Sequence, residues 1–297
     1  MSKRYNIDFV AKFPIAVIIS TLLILGSFGL LIKKGLNYGV DFRGGAEVQV
    51  KFTEKVSVSD VRASLKAGKL KVSSIQSIGD ASNNELLIKV GADEKNMNKV
   101  TNAITSIVMK DFASKGSEIR KTDIVGAKAG ERLRISGFQA MVWALLAIMI
   151  YIGLRFDFKY APGAIVALLH DVIIILGIFS FMDKEFSLQI VGALLAVIGY
   201  SVNDTVVVYD RVREHEEKSS SKMQKLINIA LNETLSRTIL TSATTLFVSV
   251  IMFSMGGGVI HDFFFAITLG VLIGTYSSVF VAAPTVLFLD RFQSKEA

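Results

Sequence analysis

Six long apolar runs separated by polar segments are the feature that most constrains how this chain folds. They cover residues 14–32, 137–154, 162–182, 186–209, 237–256 and 263–289. Each run is close to the ~20 residues that an α-helix needs to cross the hydrocarbon of a bilayer. A mean hydropathy of +0.49 is also too high for an ordinary soluble domain of this length. The sequence therefore predicts a polytopic α-helical membrane protein with six transmembrane helices.

The charges in the loops predict how these helices are oriented. Basic residues are concentrated between the second and third runs and in 210–236, whereas the loops 183–185 and 256–262 carry almost no net positive charge. The positive-inside rule then predicts that 1–13, 210–236 and 290–297 are cytoplasmic. The 210–236 connection has an amphipathic pattern, which predicts a helix along the cytoplasmic interface. The first run exceeds a signal-peptide core and lacks a small-x-small cleavage site, so we expect it to be uncleaved.

The polar segment 33–136 lies between the first and second runs and is predicted to form a domain on the outer face. Alternating apolar residues predict strands near 48–52, 72–78, 85–90 and 118–125, with a turn at Gly79-Asp80. Helices are predicted from Ser57 to Gly68 and from about residue 93 to 112. The order β-α-β-β-α-β predicts a ferredoxin-like α/β domain, which specifies an architecture rather than a function.

Composition argues against several classes of site. The chain has no cysteine, so it has neither disulfides nor thiolate metal ligands. Its three histidines are not spaced as zinc ligands. The net charge of +7 is explained by orienting loops and a solvated domain surface. We therefore expect no metal, no cofactor and no nucleic-acid partner.

Ionisable residues within the apolar runs are the candidates for chemistry, because they are costly in hydrocarbon and usually face a bundle interior or a water path. Asp204 lies within the fourth run and Arg237 opens the fifth. An arginine keeps its charge, so it can hold or release a carboxylate as the geometry changes. The polar residues predicted to line a proton path beside them are Ser201, Asn203, Thr205 and Thr241. The alternative is a structural ion pair that only fixes helix packing.

Asp171, in the third run, is a further candidate for proton transport with several interpretations. The three interpretations are a second relay carboxylate, a hydrogen-bonded packing residue and a substitute counter-ion for Arg237. Its neighbour His170 is interpreted as a helix contact rather than a proton shuttle. Two intramembrane aspartates are also typical of aspartyl proteases, but those need a dyad that shares a proton and a Gly-x-Gly-Asp motif that this chain lacks. We therefore do not expect an enzyme.

Four motifs resemble those of a known family. Residues 37–45 are similar to a Gly-x-Asp-Phe-x-Gly-Gly motif at the junction of membrane and outer domain, and the matching positions are Gly39, Asp41, Phe42, Gly44 and Gly45. Residues 169–171, 199–214 and 235–242 are similar to motifs of the third, fourth and fifth helices. In order and spacing the motifs span nearly the whole chain, which resembles the SecF members of the SecD/SecF family in the RND superfamily. The outer segment is too short for the SecD members.

This resemblance implies an accessory subunit of the Sec translocase in the bacterial inner membrane, with a periplasmic domain at 33–136. It implies a heterodimer with SecD, association with the SecYEG channel, often with YajC, and use of the proton-motive force to promote export of a translocating preprotein. It maps the family's proton-transport residues onto Asp204 and Arg237. The implied coupling ion is H⁺, with Na⁺ as the alternative, and we expect helix movement to reach the periplasmic domain through Gly44 and Gly45. A non-transporting assembly factor that only holds SecD is the competing interpretation.

Overall fold

The computed structural model describes residues 6–70, 72–78, 83–91 and 97–296. In chain order its elements are α1 (Phe13–Lys33), β1 (Asn37–Tyr38), α2 (Val40–Arg43), β2 (Gly45–Lys51), α3 (Val58–Ala67), β3 (Val72–Ile78), β4 (Glu85–Val90), α4 (Met97–Asp111), β5 (Glu118–Val125), α5 (Ala127–Arg155), α6 (Ala161–Phe181), β6 (Glu185–Phe186), α7 (Leu188–Lys218), α8 (Met223–Met255), α9 (Val259–Ser277) and α10 (Ala283–Glu296). A π-helical turn at Ser278–Ala282 joins α9 and α10 into one long helix.

Six helices in the described part of the chain are long and apolar enough to cross a membrane, which confirms the predicted number. They are α1, α5, α6, α7, α8 and the continuous α9–α10. The helices α6, α7 and α9–α10 bury about half of their spanning surface and form the centre of the bundle. The helices α1, α5 and α8 leave most of their apolar side chains exposed, as a surface that faces lipid or another protein does.

The connection at 210–236 is where the sequence prediction was wrong. The pattern predicts a separate helix along the interface, but α7 continues to Lys218 and α8 already begins at Met223. Ion pairs one helical turn apart, Arg213–Glu217 and Lys218–Glu214, support the extension of α7. Both spanning helices therefore project beyond the apolar zone and are joined by a short turn. At the other end of the bundle, α5 begins at Ala127, ahead of the predicted start at 137.

The segment between α1 and α5 folds around a four-stranded antiparallel sheet with the order β3-β4-β2-β5. Val48 of β2 lies opposite Ile88 of β4 and is completely buried. Alternation along β2 turns its apolar side chains towards α3 and α4, where Val61 and Ile104 complete the core. The outer segment is therefore an α/β domain with a hydrophobic core of its own.

The ends of α3 agree with the sequence signals. Ser57 is the N-cap, and its Oγ accepts a hydrogen bond from the Ser59 amide at 3.1 Å. Gly68 follows the last turn as the C-cap residue. The predicted turn at Gly79-Asp80 and the predicted start of the second helix near residue 93 lie outside the described residues.

A second, two-stranded sheet ties the membrane bundle together at the base of the domain. In it β1, just after α1, pairs in parallel with β6, just before α7. Lys184, beside β6, also forms an ion pair with Asp262 at the start of α9, with Nζ and Oδ1 2.6 Å apart. The short α6–α7 connection therefore contacts two parts of the molecule that are far apart in sequence, β1 and the start of α9.

Candidate functional site

Asp204 of α7 and Arg237 of α8 lie near each other, but no ion pair joins them. Asp204 is buried, and its Oδ2 has no hydrogen-bond partner among the described residues. The charge of Arg237 and the nearby Thr241 side chain both act on the Asp204 carboxylate, while the Thr241 hydroxyl donates to the Arg237 and Thr238 carbonyls of its own helix. Arg237 itself is exposed on the outer side of α8 and has no salt bridge in the part of the chain that is described. The arrangement is an open pair, in which a small helix movement changes the interaction between the charges.

Of the four polar residues predicted to line a path at Asp204, only Thr241 acts on its carboxylate, and no hydrogen bond joins the two side chains. The Ser201 hydroxyl donates a hydrogen bond to Asp171 instead, and the Thr205 hydroxyl donates to the Ser201 carbonyl within α7. Asn203 lies on the exposed face of α7. A helix turns by about 100° per residue, so Asn203 points away from the buried face that Ser201 and Thr205 share.

Asp171 is at the centre of a separate, completely buried hydrogen-bond cluster. Its Oδ2 accepts hydrogen bonds from Ser201 Oγ of α7 at 2.6 Å and from Ser277 Oγ of α9 at 2.8 Å. Its Oδ1 lies 3.0 Å from His170 Nδ1. The His170 ring stacks on Tyr276, and its Nε2 has no hydrogen-bond partner among the described residues. Asp171 therefore joins α6, α7 and α9, and Ser201 places this cluster one helical turn from Asp204.

A third polar cluster, which the sequence analysis missed, joins α7, α8 and α9. The Tyr200 hydroxyl donates to Ser242 Oγ at 3.1 Å, and Ser242 Oγ lies 2.7 Å from Thr275 Oγ1. Serine and threonine are common in any spanning helix, so their spacing alone does not single these positions out. Beside this cluster α7 and α9 approach closely at Gly270 and Gly274, where a Cβ would press on Val197 and Ser201.

The residues of the Gly-x-Asp-Phe-x-Gly-Gly motif dock directly onto the start of α7. Asp41 Oδ2 accepts a hydrogen bond from the Leu188 amide at 2.9 Å, in the first turn of α7. This contact satisfies one of the amides that a helix N-terminus leaves without a partner. Phe42 stacks on Phe186 with ring centroids 5.7 Å apart, and the Gly39 amide donates to the Phe186 carbonyl at 2.9 Å. The motif is therefore a structural joint between the outer domain and the helix that carries Asp204.

The two final glycines of the motif are required by close contacts and by backbone conformation. Gly44 has φ +79°, and a Cβ there would lie 2.8 Å from the Ala127 Cα at the start of α5. Gly45 has φ +152°, and a Cβ there would clash with the Val90 carbonyl of β4. Both backbone conformations disfavour residues with a Cβ. The two glycines are therefore a packing point for α5 and the sheet.

The six spanning helices, the outer α/β domain and the buried ionisable residues define a multi-pass membrane protein with polar contacts in its helical core. The family described as "Protein export membrane protein SecD/SecF, C-terminal" matches residues 105–291, and "SecD/SecF GG Motif" matches residues 29–56. The "Protein translocase subunit SecF" of Thermodesulfovibrio yellowstonii is 41% identical over 97% of this chain and 96% of that protein. The protein of the same name from Magnetococcus marinus is 42% identical over 97% of this chain and 93% of that protein.

A solved structure agrees with these sequence comparisons. The crystal structure of SecDF from Thermus thermophilus superimposes with a TM-score of 0.83 and 30% identity over 98% of this chain. The present chain spans 40% of that SecDF chain. It therefore belongs to the SecD/SecF family and, within that family, to the SecF proteins.

Proposed function

We propose that this chain acts with a SecD-type partner to promote preprotein export across the bacterial inner membrane, driven by the proton-motive force. The observation that carries the proposal is the open pair of Asp204 and Arg237. Asp204 is buried with one oxygen that has no hydrogen-bond partner among the described residues, and the charge of an arginine on the next helix, which stays protonated, acts on it. Ionisable groups in such positions commonly mark ion pathways in membrane proteins.

The pair can convert the protonation of one carboxyl group into helix movement. As a carboxylate, Asp204 attracts Arg237 and holds α7 and α8 together at the level of these two residues. When Asp204 takes up a proton from the periplasmic side, that attraction is lost and the two helices can separate or rotate. In this scheme Asp171 has a packing role, because hydrogen bonds from two serines already satisfy its Oδ2. The coupling ion is H⁺, and neither an enzymatic step nor a cofactor takes part.

The location of the outer domain follows from the charge distribution. Arg155, Lys159, Arg211 and Arg213 lie at the end of the bundle opposite the domain, which supports cytoplasmic termini and a periplasmic domain. The sheet order β3-β4-β2-β5 supports a ferredoxin-like architecture for that domain. The domain is then on the side where a preprotein emerges from a SecYEG channel. A YajC subunit in the same membrane is a further partner in this proposal.

An exposed stripe of small residues on α7 supports the SecD-type partner. Gly192, Ala196, Gly199 and Asn203 lie at helical spacing and are exposed. A Cβ at Gly192 or Gly199 would meet no atom within 4 Å in the described part of this chain. A second spanning helix can approach α7 closely there.

The decisive experiment is preprotein export into inverted membrane vesicles with and without a proton gradient. Asp204→Asn keeps the shape of the side chain and removes its charge, so we expect the gradient-dependent part of export to be lost. The matched control is Asp210→Asn in the same helix. Asp210 is largely exposed, and its ion pair with Arg155 is long, at 3.9 Å, and contributes little because it lies on the surface. Replacing the proton gradient with a sodium gradient identifies the ion. Normal gradient-dependent export by Asp204→Asn would contradict the proposed relay, and loss of SecD binding would favour the assembly-factor interpretation.

A further inference from the structure

A buried ion pair links the sheet of the outer domain to the membrane bundle. Lys89 of β4 is almost completely buried, and its Nζ lies 3.0 Å from Glu185 Oε1 and 3.2 Å from Glu47 Oε1. Glu47 is its neighbour across the sheet, since Glu47 of β2 pairs with Lys89 of β4. Glu185 belongs to β6, in the connection between α6 and α7. Of these two contacts, therefore, only the one with Glu185 crosses from the domain to the bundle.

Glu185 is held from several directions. Ser74 Oγ of β3 donates to Glu185 Oε2 at 3.4 Å. A side chain at Gly39 would clash with the Glu185 carboxylate, so this motif glycine makes room for it. Glu185 also lies only three residues before Leu188, where α7 begins. A movement of α7 along its axis, or a rotation around that axis, therefore also displaces Glu185.

Electrostatics favours the charged form of Lys89 despite its burial. Burial lowers the pKa of the Lys89 ammonium, but the carboxylates of Glu185 and Glu47 together raise it above its usual value. A buried ion pair is seldom more stable than two well-packed apolar residues, whereas removal of one partner leaves an uncompensated charge. Such a pair holds two surfaces in one register, because movement of one partner leaves the buried charge of the other uncompensated, which is energetically unfavourable.

We propose that the contact between Lys89 and Glu185, here called the Lys89–Glu185 latch, transmits movement of α7 to the periplasmic domain. Lys89 is the positioning residue on the domain side, and Glu185 is the positioning residue on the membrane side. This inference rests on the proposed function, since it requires that Asp204 moves α7. It adds a lateral connection through β6 and β4 to the covalent one through Gly44 and Gly45.

The test measures hydrogen exchange of the full-length chain with its SecD-type partner in lipid nanodiscs. In the wild-type background, Asp204→Asn mimics the protonated state, and we expect it to change the exchange of the β4 amides at 85–90 about tenfold. In a Lys89→Met or a Glu185→Gln background, we expect this response to disappear. Lys121→Met is the control, because Lys121 is an exposed lysine of β5 paired with Asp123 in the same sheet.

Two features make the test decisive. Glu185→Gln lies outside the four-stranded sheet, so it reports on the latch even where Lys89→Met disturbs folding of the domain. Because both residues act through one contact, the double variant should lose no more of the response than either single variant. An unchanged response in Glu185→Gln, or no response to Asp204→Asn in the wild-type background, would overturn the latch. The proposed function is judged separately by gradient-dependent export, so it can fail or hold whatever the exchange result.

Discussion

Asp171 shows most clearly what a single residue contributes to this bundle. Its carboxylate accepts hydrogen bonds from α7 and α9 while it lies on α6, so three central helices share one acceptor. The sequence predicts that an aspartate within an apolar run has a special environment, but not which helices supply its partners. Those partners depend on how far each helix is rotated about its axis, and this rotation is set by packing across the whole bundle.

Replacement of Asp171 by leucine should destabilise the bundle strongly. The change leaves the hydroxyls of Ser201 and Ser277 without their acceptor and the His170 ring without its partner, at a cost of about 3–5 kcal/mol in the free energy of unfolding. Thermal unfolding in detergent should show a lower Tm. Asp210→Leu is the control, because the Asp210 side chain is mostly exposed on α7. Equal Tm values for the two variants would show that the cluster contributes nothing to stability.

Glu47 should make the stability of the domain depend on pH. Burial raises the pKa of Glu47 above 4.5, with Asp41 and Glu185 acting in the same direction and Lys89 against it. The folded state therefore binds a proton more tightly than the unfolded state. Stability should increase as pH falls through the folded pKa and level off below 4.5.

Hydrogen exchange of β2 in the full chain, corrected for the intrinsic effect of pH, measures this dependence. In the wild type, the opening of β2 should become rarer as the pH falls from neutral towards 4.5. Glu47→Gln should show a smaller change, because it does not titrate. A steeper dependence in Glu47→Gln than in the wild type would assign the effect to another group.

At the scale of elements, hydropathy was sufficient to predict the six spanning helices, since a run of this length in hydrocarbon has to be helical. It was insufficient beyond the edge of the apolar zone. The segment after Tyr209 is amphipathic whether it lies on the interface or extends a spanning helix, and the structure shows the extension. The strands were predicted from alternating apolar residues. The alternation is clear in β2, where Val48 and Val50 are buried around a more exposed Gln49. The joint at Asp41 and Leu188 was not predictable, because it connects residues far apart in sequence.

Contact between α7 and α9 should depend on Gly270 and not on Gly192. A Cβ at Gly270 would overlap the side chain of Val197, so Gly270→Ala should cost about 1–3 kcal/mol through overpacking. Gly192→Ala meets open space and should be neutral or slightly stabilising, because alanine favours a helix more than glycine does. The Tm of the isolated chain in detergent compares the two variants. A larger loss for Gly192→Ala would contradict this account of the packing.

At the scale of the whole molecule, the exposed surfaces indicate that the bundle is incomplete on its own. Arg237 lies on the outer side of α8, where a charge facing lipid is costly. The small residues of α7 form an exposed stripe beside it. A second bundle that covers both surfaces would enclose the Asp204–Arg237 pair. This arrangement agrees with the present chain spanning only 40% of the SecDF chain that it resembles.

Gly199→Leu tests whether α7 forms this contact. The larger side chain meets open space in the isolated chain, so its Tm should stay close to that of the wild type. In the heterodimer the same side chain would keep a neighbouring helix from approaching α7, because small residues permit such close approach. Co-purification with a SecD-type subunit should therefore fall by about tenfold or more, which corresponds to a loss of about 1.4 kcal/mol in binding free energy. Ala140→Leu, on the exposed side of α5, is the matched control and should bind normally. If Gly199→Leu binds its partner as well as Ala140→Leu does, the partner contacts another face, and the exposed position of Arg237 on α8 needs a different explanation.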